Sequence, residues 1–101
     1  MPVRHVIISS DALADLEGIW DHIGQAAGGT TASDFVADLL DAIERLAEMP
    51  GMGHRRADVR HPGYRFWSVK SYVIAYRADA QVLRVARIIH GHRDFRLLFR
   101  A

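Results

Sequence analysis

Apolar positions change their spacing along the chain, and each change predicts an element. Val3 to Ile8 is a short β-branched run that reads as a strand, closed by the helix-capping residues Ser9-Ser10-Asp11. Leu13, Leu16, Trp20, Ile23 and Ala27 then recur three and four apart, which places them on one face of a helix that Gly28-Gly29 stops. Trp20 reads as part of that buried face. Thr31 followed by Asp34 resembles a capping box, opening a second helix. Its apolar face is Phe35, Leu39, Ile43 and Leu46, widened by Val36, Leu40 and Ala47, and Pro50-Gly51 closes it. Two amphipathic helices so closely joined predict an antiparallel hairpin.

From Pro50 to Gly63 no apolar period survives, so this stretch reads as a loop, and loops of such length are often functional. Strand patterns follow at Tyr64–Val69, Tyr72–Tyr76 and Val82–Ile89, with turns at Lys70-Ser71 and Ala78–Gln81. Three closely linked strands predict an antiparallel meander. Phe95, Leu98 and Phe99 in the tail Asp94–Arg100 have the spacing of one docked helical turn. The expected fold class is α+β, in the order β-α-α-β-β-β, with a helical hairpin packed on a small, mainly antiparallel sheet. Residues 1–101 read as a single domain, without repeats or low-complexity segments.

Composition narrows the functions. The chain has no cysteine, which excludes disulfides, thiolate metal sites and cysteine nucleophiles. No apolar run has the length of a membrane span and the N-terminus lacks a signal-peptide core, so the expected compartment is the cytoplasm. The formal net charge of +1 hides a division. Residues 1–50 carry nine acidic and two basic groups, whereas residues 51–101 carry eleven basic and three acidic ones. Twelve of the thirteen cations are arginine, the side chain suited to bidentate recognition, so the basic half is expected to meet phosphate or an acidic partner. The alternative is that the two halves neutralise each other across the fold.

Candidate chemistry concentrates at Arg87-Ile88-Ile89-His90-Gly91-His92-Arg93-Asp94. His90 and His92 lie two apart, the spacing of a shared strand face, but no third ligand has diagnostic spacing and no metal is expected. His90 is the candidate general acid or base. The sheet arginines Arg65, Arg77, Arg84 and Arg87 form a second set. Period-two counting puts Arg84 and Arg87 on opposite faces unless a bulge intervenes. The segment Gly51-Met52-Gly53-His54-Arg55-Arg56 is basic and glycine-rich, but no helix follows it, so it is not a phosphate-binding P-loop.

These residues, taken in order, resemble the ParE/RelE superfamily of toxins from bacterial toxin–antitoxin modules, and within it the ParE-like branch. The resemblance runs through Ala14-Asp15-Leu16-Glu17-Gly18-Ile19-Trp20, Leu46–Gly53, Asp58-Val59-Arg60 with Gly63-Tyr64-Arg65, Tyr72–Arg77 and Arg87–Asp94. It implies a helical hairpin on a small sheet, matching the independent reading. It implies a type II toxin that inhibits DNA gyrase, takes part in plasmid stabilisation, and is neutralised by a cognate ParD-like antitoxin. No catalytic residue, cofactor, small-molecule substrate or membrane is then expected. Antitoxin or target contact falls to Arg65, Arg77, Arg84, Arg87, His90, Arg93 and Asp94. The alternative within the superfamily is a RelE-type ribosome-dependent mRNA endoribonuclease, with His90 as base and Arg65, Arg77 and Arg93 on the phosphate. A non-toxic binding member is the third reading.

Overall fold

A computed structural model describes residues 3–59, 61 and 63–92. Strand β1 spans His5–Ile8, helix α1 Ser10–Ala27 and helix α2 Gly29–Glu48, followed by a 3-10 turn at Pro50–Met52. The remaining strands are β2 (Arg65–Val69), β3 (Tyr72–Ala78) and β4 (Val82–His90). The sheet order is β1-β4-β3-β2: the meander β2-β3-β4 is antiparallel, and β1 joins β4 in parallel. The result is a four-stranded mixed sheet beneath a helical hairpin, in the expected β-α-α-β-β-β order.

Local chemistry explains the helix boundaries. Ser9 is the N-cap of α1, its Oγ accepting from the Ala12 N–H at 3.0 Å. Gly28 alone joins the helices. Its φ of 92° suits a residue without Cβ; its N–H closes α1 on the Gly24 carbonyl, and its own carbonyl accepts from Ala32 in α2. The expected Thr31–Asp34 capping box is therefore corrected: α2 starts at Gly29, and its cap position makes no side-chain hydrogen bond. The first strand begins at His5 rather than Val3. The tail at 94–100 lies outside the described residues.

The hairpin packs Ala12, Leu16, Ile19, Leu39, Ala42, Ile43 and Leu46 against Ile74, Tyr76, Leu83, Val85 and Ile88 of the sheet. The buried stripe of α1 is rotated from the expected one: Leu13 is 51% and Trp20 41% exposed. Trp20 instead lies across the helix joint, its ring near Gly24 and Gly29 and its Nε1 donating to Ser33 Oγ at 3.3 Å. Leu40 is likewise exposed on α2. A second, smaller cluster covers the other sheet face, where Val59 and Tyr64 from the 53–64 connection meet Phe66, Val73, Ala75 and Ile89. That connection is not structureless. The 3-10 turn leads into it, and within it His54 forms a bridge with Phe66 through backbone bonds of 2.7 and 2.8 Å.

Candidate functional site

A bulge in β4 decides where the basic side chains go. Tyr76 pairs with Val85 and Ala75 with Arg87, leaving Ala86 without a register partner. The extra residue returns Arg84 and Arg87 to the same side of the sheet, correcting the simple alternation that separates them. Ser9 holds the bulge from the side: its N–H donates to the Val85 carbonyl at 3.0 Å and its Oγ to the Ala86 carbonyl at 2.8 Å.

Past the bulge, β1 has ended and β4 becomes an edge. There Arg87 donates to both carboxylate oxygens of Asp15 on α1, at 2.8 and 3.0 Å. The same carboxylate accepts the Ile88 N–H at 2.9 Å. The Asp15 hydrogen bond, and secondarily its charge, raise the Arg87 pKa above its ordinary value. Beside this pair lies a cleft of about 250 Å³ lined by Asp15, Gly18, Tyr72, Arg87 and His90, among others. His90 stands edge-on to Tyr72, with centroids 5.4 Å apart, and stacks on His92 at 4.9 Å. Its Nδ1 accepts the His92 N–H at 3.3 Å. Among the described residues no group of three His, Asp or Glu is gathered as metal ligands.

Arg77 and Arg84 sit near the opposite end of β4, directly across from each other on the sheet face away from the helices. Arg84 and His90 are six residues apart, about 20 Å along an extended strand. The Arg77 guanidinium lies 5.7 Å from the Tyr64 ring centroid. Arg65 belongs to neither place. It projects to the helix side and donates to the Gly53 carbonyl at 3.0 Å. Gly53 is held a second time by Tyr76, whose buried hydroxyl accepts the Gly53 N–H at 2.9 Å and donates to the Pro50 carbonyl at 2.5 Å. Burial raises the Tyr76 pKa, partly offset by the Gly53 N–H and the Arg65 charge.

The expected contact residues thus fall into three places: Arg77 with Arg84, Arg87 with His90, and Arg65 alone. Arg93 and Asp94 lie outside the described residues. Sequence reasoning gave neither Asp15 nor Gly53 a partner. The charge of Asp15 and the glycine spacing were visible, but their partners depend on the bulge and on the return of the loop.

Comparison with known proteins matches the sequence to one family. The model for the ParE toxin of the type II toxin–antitoxin system parDE matches residues 6–95, and the chain belongs to that family. It is 37% identical over 89 residues to Toxin ParE1 of Caulobacter vibrioides, covering 88% of this chain and 91% of that protein. It is 35% identical over 89 residues to Toxin ParE1 of Mycobacterium tuberculosis, covering 87% and 90%. Among solved structures, the chromosomal ParDE system of P. aeruginosa superposes with a TM-score of 0.74 at 22% identity, covering 87% of this chain and 96% of that one. The RelBE2 toxin–antitoxin complex of Mycobacterium tuberculosis gives 0.64 at 19% identity, covering 88% and 99%. These two likenesses bear on the fold alone.

Proposed function

We propose that this ParE-family chain inhibits DNA gyrase in the cytoplasm and is held silent by a cognate antitoxin. The observation that carries the choice of target is the separation within the basic half. A phosphodiester-cleaving site needs a proton-transfer group and cations around one phosphate. Here His90 packs against Tyr72 and His92 beside Asp15, whereas Arg77 and Arg84 lie about 20 Å away along β4. Arg65, the further phosphate candidate, is engaged with Gly53 on the other face. Dispersed basic surfaces suit protein contacts better than one reacting centre.

The antitoxin reading is supported by family membership and by the titles of the structural neighbours, which are toxin–antitoxin systems. Exposed arginines on the sheet give an acidic partner segment its contacts. Induction of the chain alone should stop growth with loss of plasmid supercoiling and intact transcripts, and co-expression of its cognate antitoxin should restore growth. Cleaved transcripts with normal supercoiling would favour the endoribonuclease reading instead. Normal growth on accumulation of the wild-type chain would remove toxicity from the account.

A further inference from the structure

We propose that Arg77 and Arg84 form a binding site for a phosphate monoester on the sheet face opposite the helices. Like charges directly across an antiparallel pair repel, and this pairing places two guanidinium groups there. Both residues are exposed, and neither makes an ion pair or hydrogen bond among the described residues. Such an arrangement is relieved by a bound anion.

The surroundings shape it as a site. Arg77 and Arg84 together line two adjoining concavities of about 250 and 220 Å³. Tyr64 forms part of the wall, its ring against the Arg77 guanidinium. Ile7, Val82 and Ala86 give the rest an apolar surface, suited to the carbon skeleton of an ester. Gly63 leaves the rim open, since a Cβ there would touch nothing within 4 Å.

One acid also lines the groove, and its charge is already engaged. Asp79 Oδ1 accepts the N–H groups of Gln81 and Val82, both at 2.8 Å, while Arg4 Nε donates to the Asp79 carbonyl. Arg77 and Arg84 thus outnumber the one carboxylate in the groove lining, which leaves a positive excess for an anion. Two guanidinium forks also match the geometry of phosphate oxygens. This site is independent of the gyrase reading, and neither depends on the other.

The test is an NMR titration of the full chain with inorganic phosphate at about pH 8, where the dianion predominates, with O-phosphoserine and AMP as separate arms. The expected result is saturable shifts centred on Arg77, Arg84 and Tyr64. Affinity should fall about tenfold or more in Arg77→Gln and in Arg84→Gln, and remain unchanged in Arg45→Gln, a charge-matched control on α2. Arg84→Lys should fall between, because it keeps charge without the fork. Tighter binding of phosphoserine than AMP would identify a phosphorylated chain as the source, and the reverse a nucleotide. Shifts that do not saturate, wild-type affinity in the two glutamine variants, or equal binding of acetate would overturn the proposal. The substituted side chains are exposed, and an unchanged spectrum away from the groove verifies folding.

Discussion

Asp15 and Arg87, 72 residues apart in sequence, meet as a two-point ion pair that also closes the open edge of β4. The Ile88 N–H completes the arrangement, so one carboxylate satisfies a guanidinium and a strand-edge donor together. The pair is only partly exposed, at 24% for the arginine side chain and 16% for the aspartate. It therefore couples α1 to β4 more firmly than a surface pair such as Lys70–Asp38, whose side chains are about half exposed.

Asp15→Ala is expected to lower stability by about 2–3 kcal/mol, because it strands both Arg87 and the Ile88 N–H. Arg87→Ala should cost less, since Asp15 keeps Ile88. Denaturant unfolding of both single variants and the double variant measures the coupling. Additive losses would show that the two side chains do not act as a pair.

Gly53 fits only because it has no side chain. A Cβ there would collide with the Tyr76 hydroxyl and ring, so Gly53→Ala is expected to destabilise by about 1–3 kcal/mol and to loosen the 53–64 connection. Proteolysis between residues 53 and 64 should quicken with it. An unchanged melting temperature would contradict the close packing.

Tyr76 gives an alkaline signature. Its folded pKa lies above the ordinary 10.0, chiefly through burial, so the neutral phenol is the form that folding favours. The corresponding stability is fully present below pH 10 and is lost as pH rises through the folded value. Tyr76→Phe should lose about 1–2 kcal/mol near neutral pH through the unmade bonds to Gly53 and Pro50. It should also flatten the decline at high pH. A decline identical to the wild type would assign it to other groups.

Leu39 is fully buried between the helices and the sheet, whereas Trp20 rests on the surface. Leu39→Ala should cost about 2–5 kcal/mol. Trp20 should be reached by a neutral fluorescence quencher in the native state, and Trp20→Phe should remove that accessible component. Full protection of both tryptophans would return Trp20 to the core.

Periodicity carried the element order well because α2 buries one continuous stripe, from Ala32 through Leu39 and Ile43 to Leu46. In α1 the same counting chose Leu13 and Trp20, since their apolar character does not reveal that Ala12 and Ile19 face the sheet. The Arg84–Arg87 relation was legible only up to the bulge, because alternation fails wherever one residue leaves the register. Asp15 stayed hidden for a different reason: an acid near the N-terminal end of a helix satisfies the helix dipole equally well, and only the tertiary fold supplies Arg87. The split of charge between the halves marked the sheet as basic, yet could not divide its arginines among three places.

The most direct test of the proposed target uses purified chain, purified gyrase and supercoiled plasmid, with a parallel reaction containing translating ribosomes and mRNA. The account predicts that gyrase-bound cleaved DNA accumulates as the chain is added while the mRNA stays whole, and that His90→Ala leaves this effect in place. Unimpaired gyrase, with ribosome-dependent mRNA cleavage that His90→Ala abolishes, would contradict it.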